Sequence, residues 1–163
     1  MQTITPFLWF DTQAEEAAEH YVSAFAKLSR PGETKVRGVA RYGEAGPGTP
    51  GSAMTVQFVL EGHEFTALNG GPHHQFTEAI SLLVSCTTQD EVDHLWNSLT
   101  EGGKESMCGW LKDRYGLSWQ IVPTALMELL SDPDPERSGR AMQAMLQMRK
   151  IDIAELRRAA EAA

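Results

Sequence analysis

"AISLLVSCTTQDEVDHLWNSLTEGG", residues 79–103, holds a short apolar strand, an amphipathic helix and a double-glycine stop. Over 79–86, Ile80, Leu82 and Val84 alternate with Ser81 and Ser85, the period-two pattern of a strand with one covered face. From 88 to 103, Val92, Leu95, Trp96 and Leu99 recur at helical spacing, and Gly102 and Gly103 end the helix. The start of the chain reads the same way. "ITPFLWF" (4–10) is a strand, and Ala14, Ala18, Tyr21, Val22 and Phe25 put an amphipathic helix over 12–26. At an offset of 74 residues Leu8 meets Leu82, Phe10 meets Val84, Ala18 meets Val92, Tyr21 meets Leu95, Val22 meets Trp96 and Phe25 meets Leu99. Every helix-facing position is apolar in both copies, which points to a duplicated module.

The remaining strands complete each copy. In the first, 33–43 alternates weakly, "EAGPGTPG" (44–51) is a loop by composition, and 54–62 with 63–71 forms a hairpin turning at Glu61-Gly62. In the second, short strands are predicted near 105–108, 110–114 and 117–122. The expected fold class is therefore α+β, with two tandem βαβββ modules, 1–72 and 76–123, in one domain spanning 1–123. A helical extension is expected over 124–163. There Asp134 caps a helix that has Pro135 at its first position, and Ala141, Met142, Met145, Leu146 and Met148 form an apolar stripe. Asp152 and Glu155 make a capping box for a last helix through Leu156.

The net charge of −8 argues against nucleic acid, whose phosphates need a basic face. No apolar run reaches membrane-spanning length and Met1 to Phe10 has no basic leader, so a cytoplasmic protein is expected. Cys86 and Cys108 belong to no CxxC pair and read as small buried hydrophobes. His73 and His74 fall in a loop, His20 and His94 lie outside the apolar stripes and so face solvent, and His63 sits at the hairpin turn. Together they show no metal-ligand spacing. "NGG" (69–71) follows a strand without opening a helix, so it is not read as a phosphate loop. Lys112-Asp113-Arg114 reads as a solvated hairpin tip rather than an anion site, and no nucleophile elbow surrounds Ser81.

"PFLWFD", "AEEA", "ALNGG", "EVDHLWNSL", "EGGKESMCGWLKDRYGLSWQIVP" and "MLQMRKIDIAEL" resemble the PhnB-like family, which carries the label 3-demethylubiquinone-9 3-methyltransferase. The resemblance runs from Ile4 to Ala160 and is most specific over Glu101 to Pro123. It places the chain in the glyoxalase/bleomycin resistance/dioxygenase, or vicinal oxygen chelate, superfamily. The resemblance implies a cupped sheet in each module, a ligand pocket inside the cup, and a homodimer. Metal-using relatives carry His or Glu at the opening of the first strand and near the end of the last strand of each module. The matching slots here are Thr5, Thr66, Ala79 and Gln120. None is a carboxylate or imidazole, so no metal and no cofactor is expected.

Strand alternation after Gly116 puts Leu117, Trp119 and Ile121 on one side and Ser118, Gln120 and Val122 on the other. The bulky side packs on the helices, so Gln120 points into the cup. Phe7 and Trp9 alternate with Leu8 and Phe10 and face the cup with Thr5, either as core filling or as an aromatic wall. Gln57, Thr66, Ser81, Ser85 and Gln120 supply polar groups there, with Trp110 at the rim. No catalytic residue is assigned. Two functions stay open: a metal-free binder of a small, aromatic or apolar molecule, or an enzyme of the same superfamily (a metal-dependent lyase or dioxygenase, or the methyltransferase of the family label). A third reading is an interaction module with a Met-rich tail.

Overall fold

A computed structural model describes residues 2–162; Met1 and Ala163, the outer ends of the expected domain and extension, lie outside the described residues. Thirteen elements follow one another: β1 (Phe7–Phe10), α1 (Ala14–Ala26), β2 (Lys35–Arg41), β3 (Ala53–Leu60), β4 (His63–Asn69), β5 (Ser81–Cys86), α2 (Gln89–Thr100), β6 (Lys104–Glu105), β7 (Trp110–Lys112), β8 (Ser118–Pro123), α3 (Thr124–Leu130), α4 (Pro135–Leu146) and α5 (Ile153–Glu161). The chain divides into two compact units, the first ending at Phe76 and the second starting at Thr77 and including the C-terminal helices. Each holds a four-stranded sheet of the same order, β1-β4-β3-β2 and β5-β8-β7-β6. In both, the first and last strands pair in parallel and the rest antiparallel. The two βαβββ modules and the helical extension are therefore real.

In the first unit α1 buries Ala14, Ala17, Ala18, Tyr21, Ala24 and Phe25 on one face of its sheet. Tyr21 lies 6.1 Å, ring to ring, from Phe58, which stacks on Phe65 at 5.2 Å. The β3–β4 hairpin turns where expected, with Glu61 and Gly62 both at positive φ (49° and 85°), the pair of a type I′ turn that matches strand twist. β1 begins at Phe7, three residues later than its apolar pattern. Pro6 has no N–H to give, and only its carbonyl enters the ladder, accepting from the Thr66 amide.

In the second unit α2 buries Val92, Leu95, Trp96 and Leu99 against the sheet. Thr88 caps the helix by accepting from the Glu91 amide, and Glu91 reaches back to the Thr87 amide at 2.7 Å. Across the sheet Leu117, Trp119 and Ile121 are fully covered, each worth about 1.5–3 kcal/mol of burial. β6 stops at Glu105 instead of running to 108. Cys108 and Gly109 sit in the left-handed region, and their amides donate to Met148 and Arg149 of the extension. A side chain at Gly109 would meet the Ile121 carbonyl at 2.8 Å.

The extension is helical, with three corrections. Asp134 caps α4 as expected, yet of the stripe only Ala141 is fully buried; Met142 and Leu146 are exposed. Met145 and Met148 instead flank a small core of Val122, Leu126, Ile151 and Leu156. Asp152 caps α5, but Glu155 pairs with Arg158 rather than reaching back, and the helix continues past Leu156 to Glu161.

Candidate functional site

Each helix covers one side of its sheet, so the register assigns the other side. In the first unit Phe7, Thr66 and Gln57 stand opposite one another in one row, and Trp9, Leu68 and Thr55 in the next. Leu8 and Phe10 are buried while Phe7 is 60 % exposed, so the alternation read from the sequence holds. Thr5 does not belong to this face; it precedes the strand and lies exposed in irregular chain. Trp9 is half-buried and fixed. Its Nε1–H donates to the Gly71 carbonyl at 2.9 Å, His74 meets its ring edge-on at 4.7 Å, and a Cβ at Gly70 would strike the indole at 2.2 Å.

"NGG" thus works as scaffold. Asn69 Oδ1 accepts from the Ala14 amide at the start of α1, and its Nδ2 donates to the Ala53 carbonyl. The Tyr42 hydroxyl donates to the Asn69 carbonyl at 2.6 Å. Beside this knot a cleft of about 620 Å³ opens between the start of α1 and the 42–52 and 70–73 loops, lined among others by Asp11, Glu15, Arg41, Tyr42 and His73. Sequence reasoning did not find it, although the glycine- and proline-rich loop that walls it was read as a loop. His20 and His94 are half-buried rather than solvent-facing, whereas His63, His73 and His74 are exposed.

In the second unit Leu83, Gln120 and Trp110 form one row of the uncovered face, and Ser81, Ser118, Lys112 and Lys104 the next. Gln120 Nε2 donates to Ser81 Oγ at 2.8 Å, which brings together two residues chosen from sequence. Leu83, 54 % exposed, shares this face and was missed, although its place between Ser81 and Ser85 carries the signal. The expected solvated tip is also corrected. Asp113 is buried and accepts from the Tyr115 and Leu117 amides and from Trp119 Nε1–H. Lys112 turns the other way and pairs with Glu78 at 2.5 Å. That hydrogen bond, followed by Glu78's own backbone and the fields of Lys112 and Lys104, holds the Glu78 carboxyl below its usual range.

Position by position, the slots that hold a cation in metal-using relatives carry a hydroxyl at Thr5, a hydroxyl at Thr66, a methyl at Ala79 and an amide at Gln120 whose N–H₂ is engaged with Ser81. That set does not fit a hard divalent ion. Among the described residues no three His, Cys, Asp or Glu side chains group so as to hold one. The strand-to-helix turns, Asp11 to Gln13 and Thr87 to Thr88, contain no glycine, so neither forms the close backbone approach of a nucleotide-type cofactor loop.

A family model described as 3-demethylubiquinone-9 3-methyltransferase matches residues 2–122. The chain belongs to that family. The resemblance seen over 145–156 lies in the extension, outside the matched residues. The PhnB protein from Bacillus cereus is 36% identical, with a TM-score of 0.66 over 75% of this chain and 99% of that one. Protein PA1353 from Pseudomonas aeruginosa, 20% identical with a TM-score of 0.60, covers 76% of this chain and 98% of its own and shares the fold. A glyoxylase/bleomycin resistance protein/dioxygenase domain from Frankia sp. EAN1pec is 12% identical, with a TM-score of 0.47 over 76% and 92% of the two chains. No curated protein matches the chain. The chain is thus a member of the PhnB-like family, as its motifs implied.

Proposed function

We propose that this PhnB-like protein binds a small organic molecule without a metal, on the uncovered sheet faces, and works as a cytoplasmic homodimer. The hydrogen bond from Gln120 to Ser81 carries the reading. It orients a neutral amide, through one of its N–H groups, at the position where metal-using relatives carry a carboxylate, and it fixes a neutral polar pair beside Trp110 and Leu83. Apolar walls with a few placed polar groups are the usual make-up of a small-molecule site. Phe7, Gln57 and Thr66 repeat that chemistry on the first sheet. Ile80 and Leu83, exposed on the second unit, and Phe7, exposed on the first, support a partner copy, because large apolar side chains left at a surface mark an interface. No helix of the described residues is long and apolar enough to cross a membrane.

Four measurements test this reading. Metal analysis of purified protein for Zn, Ni, Fe and Mn should find substoichiometric amounts, and a full equivalent of any of them overturns it. A thermal-shift screen of aromatic metabolites should find a binder, and a ligand at a hundredfold excess over its Kd stabilises by about 2.7 kcal/mol. Titration with S-adenosylmethionine should give no heat. Micromolar binding there would restore the methyltransferase reading. Light scattering should give twice the mass of one chain.

A further inference from the structure

The row Lys104–Lys112–Ser118–Ser81 crosses all four strands of the second sheet on its uncovered side. Every group in it is a hydrogen-bond donor. Lys104 and Lys112 stand directly opposite each other, a like-charge pair that destabilises a sheet unless something negative lies between them. Lys112 has one carboxylate, Glu78, and Lys104 has no ion pair among the described residues. Glu105, the other acid nearby, is turned to Trp96 Nε1 and Arg149. Ser118 Oγ is fully buried, with no hydrogen-bond partner, in a cleft of about 180 Å³ that Glu78, Lys104, Glu105, Trp110 and Lys112 also line. A buried hydroxyl without a partner costs free energy, so this one has its use when something else arrives. Ser81 Oγ accepts from Gln120, which leaves its own proton to give.

We propose that this cleft is a carboxylate-binding subsite, in which Glu78 keeps the place of the ligand's carboxylate until a ligand displaces it from Lys112 and takes the Ser118 proton. The proposal deepens the small-molecule reading above and rests on it. A carboxylate is favoured because the chain's own carboxylate already sits on Lys112, and the planar Trp110 beside it suits a flat, unsaturated body. The cleft is smaller than the roughly 300–1,000 Å³ of drug-sized sites, so the ligand is a small acid or the acidic end of a larger molecule.

Calorimetry of the whole protein with benzoate and with its neutral isostere benzamide, in a buffer without carboxylates, tests this. Benzoate should bind at least about tenfold tighter, the worth of one charge-assisted hydrogen bond. Lys104→Met and Ser118→Ala should each weaken benzoate several-fold, and Lys104→Met should narrow the difference between benzoate and benzamide. Glu78→Gln, which removes the internal competitor, should tighten benzoate. Amide NMR shifts on titration should centre on Lys112 and Ser118, and the same spectra show that each variant is folded. Equal affinities for benzoate and benzamide overturn the subsite while leaving the small-molecule reading in place, and weaker benzoate binding by Glu78→Gln overturns it as well. No saturable benzoate binding overturns it, and so does inorganic phosphate causing the same shifts at lower concentration.

Discussion

Asp113 holds the turn between β7 and β8 from inside. One oxygen takes the Tyr115 and Leu117 amides and the other takes the Trp119 indole proton. Asp113→Asn puts an N–H₂ in this ring of donors, and its loss should lower stability by about 2–3 kcal/mol in urea unfolding. Ser118→Ala should cost nothing and gain up to about 1 kcal/mol, since it removes a buried hydroxyl without a partner. Gln120→Glu should stay within about 1 kcal/mol of the parent, because the Ser81 hydroxyl can donate to the new carboxylate. It should also raise zinc affinity in titration. The place of Gln120 on the sheet face away from Trp119 and Ile121 was legible from alternation. The burial of Asp113 was not, because three residue types that favour solvent, Lys-Asp-Arg, sit together there. Its partners come from the fold of the turn, which no periodicity encodes.

Helices and strands were largely legible because amphipathic periodicity sets them, and α1 and α2 fall within three residues of the spans expected. Ends governed by backbone hydrogen bonding were not. β1 is trimmed by Pro6, and β6 by two left-handed residues whose amides turn to the extension. The Lys104–Lys112–Ser118–Ser81 row was equally out of reach, since it exists only once register pairs four separate strands. Among the connections, Gly70→Ala should push the Trp9 indole from its seat and cost about 1–3 kcal/mol in thermal unfolding. The extension is tied to α2 by Asp93, which accepts from Lys150 and Gln89, while Gln89 also holds the Ile151 carbonyl and the Ile153 amide. Those bonds, Lys150 first, keep the Asp93 carboxyl below its usual range. A depressed carboxyl stabilises above the ordinary aspartate value of about 4, and the benefit fades as pH falls through the lowered one. Asp93 is partly exposed, so the wild type should exceed Asp93→Asn by at most about 1 kcal/mol at neutral pH and lose that lead in acid melts.

On the scale of the whole chain, the family match ends at Val122, and a quarter of the chain has no counterpart in the Bacillus cereus protein. The extension nevertheless completes the second unit here. It covers Val122 and takes up the amides of Cys108 and Gly109. A chain stopped after Pro123 should therefore unfold in urea with about 2–4 kcal/mol less stability. The tryptophans divide in a useful way. Trp96 and Trp119 are buried to within 2 % and bonded to carboxylates, whereas Trp9 and Trp110 lie half-covered on the uncovered faces, one in each unit. Intrinsic fluorescence should thus contain a constant blue component and a quencher-sensitive red one. Replacing Trp9 or Trp110 by Phe in turn would show which sheet dims when a compound is added, so the molecule carries its own optical reporter for each face.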